Sequence, residues 1–280
     1  MLDPRLLRAF VTIADDGGFT LAAERLHMTQ STISQQLGRL EDAVGHLLID
    51  RAARPVRPTA AGERLLGHAR RILMLQAEAE TLLSDAAGTA SLRIGMPDDL
   101  FTPAMGQVFR GVGERHRELR LDVTIGLSRD LAGRFHAGEF DIIVVKEEAP
   151  TADHRATFAE PIGWFESTHA PASWGDPLPL VAFPAGGLYR DAMFERLERE
   201  RMGWYVAFTG SSLASVLQAV EAGLGITLIP VAATAGRSVR PCPSLGQEQA
   251  MAVSVYAWEE TGPIAELTEL ISGVLAQRRG

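Results

Sequence analysis

Two helical patterns near the start of the chain are separated by only two residues, and that spacing restricts the fold more than any other feature. Leu21, Ala22 and Leu26 belong to one short helix. His27-Met28 leave room only for a tight turn. Ile33, Leu37, Leu40 and Val44 then recur on one face of the next helix, capped by Thr29 or Gln30 and stopped by Gly45. Upstream, Leu6, Leu7, Phe10, Val11, Ile13 and Ala14 trace an amphipathic helix from Asp3 to Asp16 that ends at Gly17-Gly18, and Thr20 is expected to cap the second helix. Three short helices with such a turn between the second and third make a helix-turn-helix.

The next segment, Arg51 to Thr59, is stiffened by Pro55 and Pro58 and suits an extended wing. From Ala60 to about Ala86, Leu65, Leu66, Ala69, Ile72, Leu73, Leu82 and Leu83 keep helical spacing. One long helix is predicted, too apolar on one side to stand alone and therefore expected to pair with a second copy. Gly88-Thr89-Ala90 is the expected hinge. From Ser91 the chain alternates strand patterns (SLRIGMP, LRLDVTIG, FDIIVVK, LPLVAFP, WYVAFTG, GITLIP, MAVSVYAW) with helical ones over 131–137, 189–202, 211–222 and 263–278, which predicts an α/β module with a mostly parallel sheet. The number of units and the segment THAPASWGDPLP predict two subdomains flanking a cleft: about 91–160 with 260–280, and about 161–259.

The formal net charge of -8 argues against a nucleic-acid partner until its distribution is considered. Residues 1–88 hold 10 arginines against 11 acidic residues, so the excess acid lies in the remainder. Arg51, Arg54, Arg57, Arg64, Arg70 and Arg71 form a basic run broken only by Glu63. In a helix-turn-helix the second helix of the pair enters the major groove by its N-terminal end. That places Thr29, Gln30, Ser31, Thr32, Ser34 and Gln35 at DNA, where glutamine can pair with adenine and short hydroxyls allow close backbone approach. Arg51, Arg54 and Arg57 in the wing are expected to hold the phosphates. Arg51→Ala or Gln30→Ala is expected to abolish specific binding and leave thermal stability nearly intact.

The run GGFTLAAERLHMTQSTISQQLGRLEDAVGHLLIDR, followed by TAAG at 59–62, resembles the N-terminal domain of LysR-type transcriptional regulators; PIGWFES, LPLVAFPAGGLYR and SSLASVLQAVEAGLGITLIP are similar to the branch typified by the HexA, PecT and LrhA repressors. Gly18, Ile49 and Pro58 depart from the family pattern, where serine, phenylalanine and leucine are usual. The resemblance implies a winged helix-turn-helix over 1–59, a dimerisation linker helix over 60–88, and an effector-binding domain over 91–280 like a periplasmic binding protein. It implies Thr20 among the DNA contacts, a double-stranded operator with paired half-sites, and a homotetramer of two dimers joined through linker helices. Whether the output is repression or activation stays open. It also implies a small-molecule effector lined by Asp98, Phe101, Thr102, Ser128 and Lys146 from one subdomain and Phe183, Tyr189, Arg190, Thr209 and Ser211 from the other. Pro97-Asp98-Asp99 would bring acid to one lip of that cleft, which disfavours a simple anion.

Other classes fit poorly. The seven histidines have no metal-ligand spacing, Cys242 is the only cysteine, and no nucleophile elbow or phosphate-binding glycine loop is complete. No enzyme, metal or cofactor is expected. No membrane partner is expected either: no apolar run reaches the ~20 residues of a membrane helix, and with no signal-peptide pattern at the N-terminus a cytoplasmic protein is expected. A solute-binding protein without a DNA-binding role is the alternative, and it leaves the first 88 residues unexplained.

Overall fold

The computed structural model describes residues 2–84, 90–242, 244–246 and 248–278. The chain divides into two compact units, Met1–Ala90 with Gly133–Glu139, and Ser91–Ala132 with Phe140–Gly280.

The first unit contains α1 (Pro4–Asp16), α2 (Phe19–Arg25), α3 (Gln30–Val44), a short hairpin of β1 (Ile49–Asp50) and β2 (Arg57–Pro58), and α4 (Ala60–Ser84). Asp3 caps α1 by accepting the Arg5 amide at 2.9 Å, and Gly17 ends it in a left-handed conformation (φ +64°) that no β-carbon hinders. That reversal starts α2 at Phe19, whose ring packs on the helical core, so Gly18 and not Thr20 is the N-cap; Thr20 is an exposed second-position residue. The turn after α2 closes with the Met28 amide on the Ala23 carbonyl at 2.8 Å, and His27 takes φ +54°. Leu7, Phe10, Ile13, Ile33, Leu37 and Leu40 are fully buried against one another, each worth about 1.5–3 kcal/mol of removed apolar surface.

Thr59 joins wing to long helix. Its hydroxyl donates to the Leu47 carbonyl at 2.7 Å and accepts the Gly62 amide at 3.1 Å, while its own amide donates to Leu48. A β-carbon at Gly62 would lie 2.1 Å from the Leu48 carbonyl oxygen, so only glycine lets α4 begin this close to the hairpin. Leu66 and Ala69 of α4 are buried in the helical core, whereas Leu75, Ala77 and Ala79 are exposed. The predicted end of this helix at Ala86 and the glycine and threonine of the expected hinge, Gly88 and Thr89, lie outside the described residues; Ala90 opens the next strand.

The second unit is built around two cores. The first surrounds a five-stranded sheet, order β4-β3-β5-β12-β6, of β3 (Ala90–Met96), β4 (Leu119–Ile125), β5 (Ile142–Glu147), β6 (Ala156–Glu160) and β12 (Met251–Ala257). Onto it pack α5 (Pro103–Arg115) and α9 (Gly262–Gln277), and α6 (Ser128–His136) precedes β5. The second contains a three-stranded sheet, β10-β7-β11, and the pair β8-β9: β7 (Ile162–Ser167), β8 (Leu178–Ala182), β9 (Trp204–Thr209), β10 (Thr227–Pro230) and β11 (Val239–Pro241). Its helices are α7 (Leu188–Arg199) and α8 (Leu213–Glu221).

Two expectations need correction. The sheets are mixed: β3 with β5 and β8 with β9 are parallel, but β12 runs antiparallel to β5 and β6, and β7 to β10 and β11. The cause is the path between lobes. Strand β6 leads out through Pro161 directly into β7, and β12 brings the chain back, so the outgoing and returning strands oppose each other. For the same reason β12 belongs to the first lobe, and the return falls near residue 250 instead of 259.

Candidate nucleic-acid interface and ligand cleft

Helix α3 presents two different faces. Ile33, Leu37 and Leu40 bury one; Ser31, Gln35 and Arg39, four residues apart, expose the other. Gly38 lies within that exposed face, and a β-carbon there would meet open space. At the helix start, the Thr29 hydroxyl accepts the Thr32 amide at 3.2 Å and lies 2.9 Å from Ser31 Oγ and 2.8 Å from Thr32 Oγ1. These three hydroxyls therefore form one cap, with Thr32 and Ser34 half-buried, while Gln30 and Gln35 stay exposed. Arg39 escaped the sequence reading, although counting four residues on from Gln35 would have found it.

The wing is fixed by a buried carboxylate. Glu41, 6% exposed, accepts the Leu48 amide at 2.9 Å and the Ile49 amide at 3.4 Å on one oxygen, and Arg51 Nη2 at 2.7 Å on the other. The Arg51 guanidinium also sits 5.8 Å from the Phe19 ring centroid. Arg54 donates to the carbonyls of Arg51 and Ala53, Arg57 lies 3.6 Å from Asp50, and Arg70 pairs with Asp15. The basic run is thus not an unpaired stripe: each of these arginines has an acceptor inside the unit, because Glu41, Asp50 and Asp15 come close only on folding. The Glu41 pair also argues against the expectation that Arg51→Ala spares stability.

Between the two lobes of the second unit lies a cavity of about 490 Å³. The first lobe contributes Pro97 to Asp99, Gly126 to Arg129 and Val145 to Ala149; the second contributes Phe183, Gly186 to Tyr189, Ser211 and Leu213. Several side chains join the lobes around it. Asp98 accepts the first amide of α8, Leu213 N–H, at 3.1 Å; Arg129 pairs with Asp191 at 2.7 Å; and Lys146 Nζ donates to Tyr189 Oη at 2.7 Å.

Lys146, 4% exposed in its side chain, is the centre of a buried ion cluster. It lies 2.5 Å from Asp99 and 3.1 Å from Glu160, and Arg278 reaches the same two carboxylates at 3.4 and 3.1 Å. Two cations and two carboxylates balance. The Tyr189 hydroxyl donates to Glu160 at 2.8 Å; burial, with Glu160 and Asp99 beside it, holds its pKa well above the ordinary tyrosine value, so it stays a neutral donor. The acid at the lip is accordingly already matched, Asp99 by cations and Asp98 by a helix N-terminus, and it gives the cleft less negative character than the sequence suggested.

Of the residues expected in the cleft, Asp98, Ser128, Lys146, Phe183, Tyr189 and Ser211 are brought together there. Four are not. Phe101 is exposed and stacks on Phe109; Thr102 caps α5 through the Met105 amide; Arg190 turns back to the Phe183 carbonyl and the Phe194 ring; Thr209 ends β9 on the surface. Each lies one to three positions along the chain from a lining residue, and the local element turns its side chain to another partner or to solvent. Asp99, expected at the lip, lines it too, and Leu127, Arg129 and Glu148 line it and were missed.

A helix-turn-helix with a wing and a two-lobed ligand module define a ligand-responsive DNA-binding regulator. Residues 4–63 match the family described as "Bacterial regulatory helix-turn-helix protein, lysR family", and residues 86–263 match the "LysR substrate binding domain". The chain belongs to the LysR family of transcriptional regulators. It is 31% identical over 229 residues to the transcriptional regulator PecT of Dickeya dadantii, covering 81% of this chain and 72% of that protein, which supports the PecT-like branch. It is 32% identical over 222 residues to the regulator DgdR of Burkholderia cepacia, covering 79% and 76%. Among solved structures, full-length LysG of Corynebacterium glutamicum "with bound effector Arg" aligns with a TM-score of 0.62 at 20% identity over 99% of both chains. ArgP of Mycobacterium tuberculosis aligns at 0.58 and 24% identity over 100% and 98%. These two share the fold. The relatives are named as transcriptional regulators, not enzymes, and the DNA-binding family match sets aside a solute-binding protein without a DNA role. Among the described residues no helix is long and apolar enough to cross a membrane.

Proposed function

We propose that α3 and the wing read one half-site of a double-stranded operator, that two chains pair through α4 to read two half-sites, and that a small molecule in the cleft alters this pairing from within the cytoplasm. The observation that carries the first part is the division of side chains on α3. Ser31, Gln35 and Arg39 stand out on a face flattened by Gly38, beside a wing held by Glu41. Gln30 and Gln35 supply base readout, the Thr29 cap keeps the helix N-terminus intact, and Arg39 with the exposed Arg57 supplies phosphate contact. Thr20 and Arg54 flank them.

In gel-shift titrations at fixed salt, Gln35→Ala should weaken operator binding by about 1–3 kcal/mol and relax the preference at one base pair. Arg39→Ala should weaken all sequences alike and lower the salt slope by about one. Unchanged affinity and slope in both variants would remove α3's exposed face from the interface. For the cleft, Ser128, Phe183, Tyr189 and Ser211 are the proposed effector contacts, with Asp98 and Lys146 holding the two lobes around the ligand. The exposed Leu75 of α4 supports a dimer, and the family's tetramer follows from pairing of two dimers.

A further inference from the structure

The charges lining the cleft do not cancel. Of its two cations, Lys146 lies between Asp99 and Glu160, and Arg129 pairs with Asp191 at 2.7 Å. The three helix starts around it would each attract an anion, but each already carries an acid: Asp130 in the first turn of α6, Asp191 in that of α7, and Asp98 on the first amide of α8. What is left over is negative. Glu147 and Glu148 both line the cavity, and Glu148 is exposed at its rim. Glu147 accepts a neutral phenol, Tyr256 Oη, at 2.8 Å, and among the described residues neither glutamate forms an ion pair.

Much of the remaining wall is apolar. Leu127 and Ala132 come from the first lobe, Phe183, Leu188 and Leu213 from the second, and the Phe183 and Tyr189 rings lie 5.6 Å apart between centroids. A hydrocarbon body covers such walls, whereas a hydrated metal ion leaves them bare. A carboxylate would have to take Arg129 from Asp191 or Lys146 from its buried cluster, stripping an acid of its partner in either case, and it would then face Glu147 and Glu148. An ammonium meets those two glutamates and disturbs no existing pair.

We propose, on the reading that this cleft is the effector site, that the effector is an organic amine without a carboxylate. Its ammonium pairs with Glu147 and Glu148 at the rim, and its apolar body lies against Leu127, Phe183 and Leu213. An ion pair at an exposed rim is screened by salt, so affinity falls as ionic strength rises.

The full-length protein is titrated calorimetrically with phenethylamine, hexylamine, phenethyl alcohol and hydrocinnamate. At least one amine should bind, with the alcohol and the carboxylate about tenfold weaker or worse. Glu148→Gln, at an exposed position, should weaken the amine about tenfold and leave the alcohol unchanged. Ser211→Trp, which fills the cleft from an exposed position, should abolish binding with an unchanged circular-dichroism melt; if that variant melts early, the exposed Ala149→Trp takes its place. The proposal is overturned if neither amine binds, if hydrocinnamate binds as tightly as the amines, or if Glu148→Gln leaves the amine unchanged. Hydrocinnamate that outbinds the amines and is lost on the Trp substitution overturns the amine but keeps the cleft as the effector site. An amine that still binds after the Trp substitution overturns the cleft itself.

Discussion

At the scale of the residue, Glu41 shows how one buried carboxylate can fix the geometry of the hairpin beside α3. It takes two wing amides and one wing guanidinium, so truncating it strands three donors at once. Glu41→Ala should cost about 3 kcal/mol or more, and Arg51→Ala about 1–3 kcal/mol because the two amides remain. Thermal or urea unfolding checks both; an unchanged midpoint for Glu41→Ala would remove its structural role. The sequence suggested a DNA-contacting role for Arg51 but not that it is paired, since the ten-residue separation from Glu41 has no local signature. Thr29 was legible as a cap because capping is a matter of three residues. Arg190 and Thr209 were misplaced for the opposite reason: whether a side chain near a helix start or strand end faces a cavity depends on where that element begins or ends, and a shift of one or two residues moves it out.

At the scale of the element, the periodic segments α1, α3, α4 and α9 were readable because a buried stripe repeats in the sequence. Helix α5 was not singled out: Met105, Phe109 and Val112 bury its inner face, but four glycines and prolines, Pro103, Gly106, Gly111 and Gly113, blur the pattern. Strands β6 and β11 were missed because they are short and lie at sheet edges, and β7, quoted only within the family motif PIGWFES, was not singled out as a strand. Helices α5 and α9 are joined at their ends by Glu266, which lies 2.8 Å from His116 Nε2 and within hydrogen-bonding distance of Arg115. The hydrogen bond to Glu266 raises the His116 pKa above its usual 6.5, and the same bond lowers that of Glu266 below 4.5. The histidine's stabilising contribution is therefore complete below pH 6.5 and fades as pH rises through its raised pKa. The glutamate's is present above pH 4.5 and fades as pH falls through its lowered one. A His116→Gln variant should accordingly approach the wild-type melting temperature as the pH is raised from 6 to 8, and a constant gap across that range would exclude the pair as its source.

At the scale of the whole molecule, the order of winged head, long helix and two-lobed module was legible, because each part has its own period and composition. The sheet directions were not, since nothing in β12 marks it as a returning strand. Leu75 on the exposed side of α4 carries the expected pairing of two chains: Leu75→Glu should shift the protein to monomers in sedimentation velocity and weaken binding to a double half-site far more than to a single one. An unchanged sedimentation coefficient would move the dimer contact off this helix. In such a pair the carboxylate of Glu41 acquires a further meaning. On the proposed function, a carboxylate that fastens α3 to the wing would make each head act as one jaw, so operators would differ in the gap between their halves more than within either half. Effector control and the drift of regulatory sites between promoters would then act on one shared variable, the opening of a pair of calipers.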